Sequence, residues 1–311
     1  MKQQLEQLSA QFVAAQKTIS KVQPLLSMYA YPICAELFIE RGVEPDLKKL
    51  KECEKILIRK AGLFSDFSGT SALIIISLLS MSDDPEAMYD RLKEARDLVR
   101  GSFPHVPDHI ALASIVLNDE ADRDRWEDIV ASASDLYGGL KKKKRILTSG
   151  GDILFSLLLA RSGKDPAAGM ADTKACAELL QDLSIDAKSL QALSRVLSLE
   201  ERPPEEKTAR FRRLYDLLLE KGLKYGKGYQ IPMLGLAAML PGDIEEIAQD
   251  IVDVDTYLSK QEMYRGIVPK YSKTVRLMHA AMIVAGTGGE SKNLYIAMEV
   301  TLWMLFDVLF I

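Results

Sequence analysis

Apolar positions along the chain recur at helical spacing and form short and long segments that alternate. The clearest stretch, residues 148–222, contains the same unit twice. In each copy a short apolar segment (153–161, then 190–199) meets a polar break with proline, and a longer amphipathic segment follows. Apolar residues three and four positions apart lie on one face of a helix. The pattern therefore predicts pairs of α-helices, a short one followed by a longer one.

The two-helix unit recurs along most of the chain with a period of about 40 residues. An acidic residue beside an apolar one in the longer helix recurs after 43, 38, 43, 38 and 39 residues, at Glu54, Asp97, Asp135, Glu178, Asp216 and Asp255. A leucine near the end of the shorter helix recurs after 38, 42, 38 and 43 residues, at Leu79, Leu117, Leu159, Leu197 and Leu240. Helices of similar length would give comparable spacings, but two anchors on different helices favour a repeat. We predict an all-α fold of stacked helical-hairpin repeats, an α-solenoid or αα-superhelix, as one domain over residues 1–311.

The two ends of the repeat array and one glycine-rich break within it are predicted to have roles that differ from those of the repeats. Residues 1–22 form an amphipathic helix that is expected to cap the first hairpin. The glycine-rich stretch 222–232 is a possible hinge. Residues 291–311 are the most apolar stretch of the chain, which is expected either to close the stack as a core helix or to form a homodimer.

Composition places the chain among globular proteins. Of its 311 residues 48% are hydrophobic and 27% are charged, and the formal net charge is −4. This charge gives no overall attraction to nucleic acid or to an anionic membrane. The three cysteines have no metal-binding spacing, which fits buried thiols in a reducing cytosol. No signal peptide and no uninterrupted apolar run of membrane-spanning length is found, so we predict a cytoplasmic protein that does not enter membranes.

Two histidines are weak candidates for a metal site. His105 and His109 stand four residues apart, a spacing that can place two ligands on one helix face. Pro107, however, is expected to open the helix and to leave His105 before it. We therefore predict surface or capping roles for both histidines, with no metal and no cofactor.

The basic run at residues 141–145 has two interpretations. Its lysines and Arg145 could bind phosphate groups, or they could simply lie at a helix C-terminus, where positive charge is favourable. The recurring acids likewise form either a ladder that attracts a basic partner or a solvated stripe, and we favour the stripe. The polar loop in the middle of the array supplies the candidate binding residues, which are Lys143, Lys144, Arg145, Thr148, Ser149 and Asp152.

One central segment resembles an uncharacterised bacterial family of all-helical proteins, a domain of unknown function found mainly in Gram-positive bacteria. The similarity covers about residues 20–285 and lies in IVASASDLYGGLKKKKRILTSGGDILFSLLLA and SLQALSRVLSL. Its markers are Tyr137, Leu147-Thr148-Ser149, Asp152 and Gln191-Ala192-Leu193-Ser194. The lysine run departs from the family's pattern, which has a single histidine before Leu-Thr-Ser. The resemblance implies a helical cytoplasmic protein and brings no activity with it.

Three functions remain open at this point. The first is a non-enzymatic scaffold that binds a protein or peptide on the concave face of the array. The second is an enzyme or small-molecule-binding protein in which the hairpins close into an αα-toroid around a cavity. The third is a nucleic-acid-binding protein that uses the basic residues 141–145.

Overall fold

The structure, a computed structural model, describes residues 1–23, 30–62, 65–104, 107–143, 150–265 and 271–288. These residues form α-helices joined by short connections, and they contain no β-strand. The predicted all-α class is therefore confirmed. The helices are α1 (Gln3–Ile19), α2 (Ala30–Glu40), α3 (Leu47–Ala61), α4 (Gly69–Met81), α5 (Pro85–Ser102), α6 (Pro107–Leu117), α7 (Trp126–Lys143), α8 (Gly150–Arg161), α9 (Pro166–Leu180), α10 (Ala187–Ser198), α11 (Pro204–Glu220), α12 (Ile231–Ala238), α13 (Ile244–Ser259) and α14 (Lys273–Gly286).

Most helix ends follow from local sequence signals. The Asp84 side chain accepts hydrogen bonds from the amides of Glu86 and Ala87, and Pro85 opens α5. These contacts satisfy amides that have no partner within the helix. Gly62 ends α3 with a φ of 73°, a left-handed value that glycine adopts without a steric penalty. Both ends agree with the sequence-based prediction.

The entry to the central hairpin differs from the prediction. The long helix expected over residues 122–140 begins as a short 3-10 helix at Glu120–Arg125, and α7 then runs from Trp126 to Lys143. Asp152 directly precedes the apolar run 153–161, which makes it a possible N-cap by sequence, but α8 begins at Gly150 and Asp152 lies inside its first turn. The predicted last helix, 291–311, lies outside the described residues.

The chain divides into two compact units, which we call the N-terminal unit (Ala15–Pro166) and the C-terminal unit (Met1–Ala14 with Ala167–Ile311). In the N-terminal unit the short helices α2, α4, α6 and α8 pack each against the next, and so do the long helices α3, α5 and α7. In the C-terminal unit α10, α12 and α14 form the corresponding row, and α11 packs against α13. Each unit therefore has one row of short helices and one row of long helices.

The short helices are enclosed over most of their length. All eight residues of α12 are buried, as are residues 109–117 of α6 and 277–285 of α14. Their exposed residues lie at the helix ends, as Gly69 does in the first turn of α4 and Glu40 does in the last turn of α2. Burial of a leucine or isoleucine side chain contributes about 1.5–3 kcal/mol. The row of short helices is therefore the main source of hydrophobic stabilisation in each unit.

Four successive short helices share a buried serine that bonds to its own helix. The hydroxyl donates to the carbonyl oxygen four residues earlier, at distances of 2.6–2.9 Å, in Ser77, Ser114, Ser156 and Ser194. This bond removes the cost of burying an unpaired hydroxyl in an apolar helix. A small residue thus recurs in the short helices of both units, and its own hydroxyl is paired in each case.

Gly235 of α12 marks a close approach between two short helices. A Cβ atom at this position would lie 2.5 Å from Cδ1 of Leu193 on α10, whereas one at Gly138 of α7 would meet nothing within 4 Å. We expect Gly235→Ala to destabilise the protein by about 1–3 kcal/mol through overpacking. Gly138→Ala should instead stabilise it by up to about 1 kcal/mol through helix propensity. Urea unfolding of both variants checks this, and equal effects would contradict the close approach.

Candidate functional site

The predicted contact region lies at the connection between α7 and α8. Lys143 is the last residue of α7, and Lys144, Arg145, Thr148 and Ser149 lie outside the described residues. Asp152 is 1% exposed. An acidic residue in the first turn of a helix is favoured by the helix dipole. A partner contact at this connection stays a prediction.

The two candidate metal ligands are not seen together. His105 lies outside the described residues, whereas His109 is buried as the third residue of α6. Pro107 opens α6 as predicted. Burial lowers the pKa of His109 to about 4, so the imidazole is neutral at physiological pH. Among the described residues no group of three or more His, Cys, Asp or Glu side chains is placed to hold a metal ion.

The recurring acids lie mostly at the surface. Asp97, Asp135, Glu178 and Asp216 are exposed, and Glu54 is half-buried. Neighbouring long helices are joined by other ion pairs, such as those between α3 and α5 (Arg59–Glu86 and Lys60–Asp90) and that between α11 and α13 (Arg213–Glu245). Exposed pairs of this kind each contribute at most about 1 kcal/mol. The interpretation of the acids as a solvated stripe agrees with the exposed positions but not with Asp255, which is buried and pairs with Arg276.

A polar group enclosed by aromatic rings lies in the C-terminal unit. The imidazole of His279 on α14 is fully buried, and its Nδ1 lies 2.6 Å from the hydroxyl oxygen of Tyr264. The rings of Phe12, Tyr264 and Tyr271 meet it edge-on, with ring centroids 4.9–5.8 Å away. We call these four residues the His279 cluster. Burial lowers the pKa of His279 to about 3, so the imidazole is neutral.

The same unit contains an ion pair between α13 and α14 and another buried phenol, that of Tyr225. Arg276, one helical turn before His279, donates from Nε and Nη2 to the two carboxylate oxygens of Asp255 on α13, at 2.7 and 3.0 Å. The buried hydroxyl of Tyr225 has no hydrogen-bond partner, and burial, with the charge of Asp255, raises its pKa. The Nε2 atom of His279 is also buried without a partner. Unpaired atoms of this kind are uncommon in protein interiors and call for an explanation.

The N-terminal unit holds one buried carboxyl of a similar kind. Glu36 on α2 is 4% exposed, and its Oε2 atom has no hydrogen-bond partner. Burial and the nearby Glu40 raise the pKa of Glu36 to about 8. The side chain is therefore mostly a neutral acid at pH 7.

Sequence analysis missed Glu36, Tyr225 and His279. Glu36 and His279 each stand alone in an apolar run (ICAELFI and LMHAAMIV), and that isolation was the available signal. The cysteines were predicted correctly, because Cys34, Cys53 and Cys176 are all buried free thiols.

The hydropathy of the helices and comparisons with known proteins bear on identity. Within the described part of the chain, no helix has both the length and the apolar character required to cross a membrane. Residues 21–309 match the model of a family described as "Protein of unknown function (DUF4003)". No curated protein and no solved structure matches the chain.

Proposed function

The chain belongs to the DUF4003 family, and we propose that it is a non-enzymatic helical-repeat scaffold that binds a protein or peptide partner. The proposal includes the arrangement of the hairpins as a solenoid. The two rows of helices in each unit and the period of about 40 residues support this arrangement. A solenoid of this kind usually presents its binding surface on one side of the array.

The exposure of the short helices carries the proposal. They offer a partner their ends and the connections beside these ends, because the middle of each helix is buried. The connection between α7 and α8 is of this kind, and it follows the lysines that end α7. We place the partner contact there, at Lys143, Lys144, Arg145, Thr148 and Ser149. Asp152 supports the first turn of α8 from the buried side.

Several partly buried ion pairs hold helices together. Arg161 of α8 pairs with Asp119 and Asp122 before α7, and Arg276 of α14 holds Asp255 of α13. An acid or base that is held in an ion pair is poorly suited to proton transfer, which requires a free acid or base near a substrate. These pairs therefore favour a structural and binding role over catalysis.

A capture experiment with matched variants tests the scaffold. The tagged full chain is incubated with cell lysate, with and without nuclease, and bound proteins are identified by mass spectrometry. The loop variant carries Lys142→Gln, Lys143→Gln, Lys144→Gln and Arg145→Gln. The control carries Lys48→Gln, Lys51→Gln and Lys55→Gln, which neutralise three exposed lysines of α3 in the same unit.

We expect a specific protein to be enriched by the wild type and the control, and to be reduced about tenfold by the loop variant, which corresponds to about 1.4 kcal/mol. If the loop variant captures the protein as well as the wild type does, the partner contact does not lie at residues 142–145. Capture that disappears with nuclease would support the nucleic-acid alternative, and the absence of any enriched protein would contradict the scaffold.

The His279 cluster favours a second candidate, a small-molecule site. Two buried polar atoms of the C-terminal unit, Nε2 of His279 and the hydroxyl of Tyr225, have no partner and could each bond to a ligand. Native mass spectrometry of the protein purified without denaturant would detect such a ligand. A bound mass that is lost in the His279→Phe variant would support this site, and the bare mass of the chain would count against it.

A further inference from the structure

Glu36 is enclosed by apolar helix surface on α2. Residues Ala30 to Phe38 are all buried, and Glu36 is the only carboxylic acid among them. An ionised carboxylate at such a position loses its hydration and gains no compensating bond. Native proteins avoid this cost by pairing the charge or by keeping the group neutral.

Among the described residues of α2 and of α4, which packs against it, Glu36 has no positive partner. Its helix packs against α4, whose residues Gly69–Met81 include no titratable side chain. On α2 the other titratable side chains are Tyr31, Cys34 and Glu40. Glu40, one turn along, carries the same charge and adds to the cost of ionising Glu36. Arg41, which follows α2, favours ionisation of Glu40 and bonds to Sδ of Met81 at 3.7 Å.

We propose that Glu36 is a proton-operated latch, which holds α2 against α4 as a neutral acid and releases α2 when it loses its proton. The Cys34 thiol is hydrogen-bonded with the Ser77 hydroxyl of α4, so a side-chain bond also joins the two helices. Opening exposes the Glu36 carboxyl to water, where it ionises freely. The latch goes beyond the scaffold function and does not depend on it.

The direction and the pH window follow from the two protonation equilibria. In the closed state the pKa of Glu36 is about 8, and in an open state it returns to 4.5, the ordinary value of a hydrated glutamate. Between these values the open state releases a proton that the closed state keeps, so rising pH favours opening. The open population of α2 is expected to grow about tenfold per pH unit in this window and to level off above pH 8.

Hydrogen exchange of the whole chain, followed by mass spectrometry at pH 6, 7 and 8, measures this opening. Labelling times are scaled to remove the intrinsic, base-catalysed change in exchange rate. The amides of α2 are compared with those of α6 in the same unit and of α11 in the other unit. Three variants accompany the wild type: Glu36→Gln and Glu36→Met remove the ionisable group, and Glu40→Gln is the matched control one turn away.

In the wild type and in Glu40→Gln, opening of α2 should rise by up to about a hundredfold from pH 6 to pH 8, while α6 and α11 stay constant. Both uncharged Glu36 variants should show no such rise. The latch is wrong if α2 of the wild type shows no pH dependence, or if an uncharged variant keeps it. An equal rise in α6 and α11 would also overturn it, because Glu36 would then act on global stability alone.

Discussion

Replacing Asp172 with alanine is expected to lower the free energy of unfolding of the C-terminal unit by about 3–5 kcal/mol. The side chain of Lys207 on α11 is 1% exposed, and its Nζ lies 2.8 Å from Oδ2 of Asp172 on α9. Nζ also donates to the carbonyl oxygen of Glu200 at 3.1 Å. Without Asp172 the ammonium group stays buried and loses its only charged partner among the described residues. Urea unfolding followed by far-ultraviolet circular dichroism measures the loss.

The same helix offers a control for this prediction. Glu178 and Lys174 of α9 form an exposed pair one turn apart, so Glu178→Ala should cost at most about 0.5 kcal/mol. In the double variant Asp172→Ala with Lys207→Met, both charges are removed and part of the stability should return. If Asp172→Ala and Glu178→Ala have similar small effects, the Lys207 ammonium is not held in the interior as the structure shows.

The helical fold could be predicted because its apolar pattern is strong and repeated. The run Thr70–Met81 is almost entirely apolar and alone could be a buried strand, but the period of about 40 residues predicts a helix there, and the run lies within α4. The boundary of α7 was harder to predict. Gly138 and Gly139 suggested an end at Leu140, but the helix continues to Lys143. Lysine has a good helix propensity, and it offsets the glycines.

The acid–apolar pair located the long helices correctly but pointed to the wrong core residue. Leu98 is half-buried and Leu179 is exposed, whereas the next residues, Val99 and Leu180, are fully buried. Adjacent residues lie about 100° apart around a helix. A residue beside an exposed acid therefore lies at the edge of the apolar face, and the residue after it reaches the centre.

The buried polar groups were beyond sequence reasoning because their partners are distant in the chain. Phe12 and Tyr264 come from separate elements and meet His279 only after folding. Whether an isolated histidine or glutamate is paired depends on such contacts, which helical periodicity does not reveal. The connection 222–230 shows the same limit. Its backbone is tied to the cap of α10 by the bond from the Asp186 amide to the Lys227 carbonyl, and the predicted hinge stays a prediction.

His279 is expected to make the C-terminal unit sensitive to acid. Its pKa is about 3 in the folded protein, whereas the ordinary pKa of a hydrated histidine, which applies to the unfolded chain, is 6.5. Below pH 6.5 the unfolded chain therefore binds a proton that the folded chain does not, and stability present at pH 7 is lost as the pH falls towards 3. Each pH unit costs up to about 1.4 kcal/mol, so the loss at pH 4.5 is about 2–3 kcal/mol from this residue.

The His279→Phe variant isolates this contribution. At pH 7 it should be less stable than the wild type by about 1–3 kcal/mol, because the hydrogen bond with Tyr264 is lost. At pH 4.5 the difference should shrink or reverse, because phenylalanine cannot take up a proton. The carboxylates titrate equally in both proteins, and their effect cancels in the difference between the two unfolding free energies. His109→Phe should behave similarly in the N-terminal unit, down to a pH of about 4. A difference that stays constant between pH 7 and pH 4.5 would mean that His279 is already accessible to protons in the folded protein.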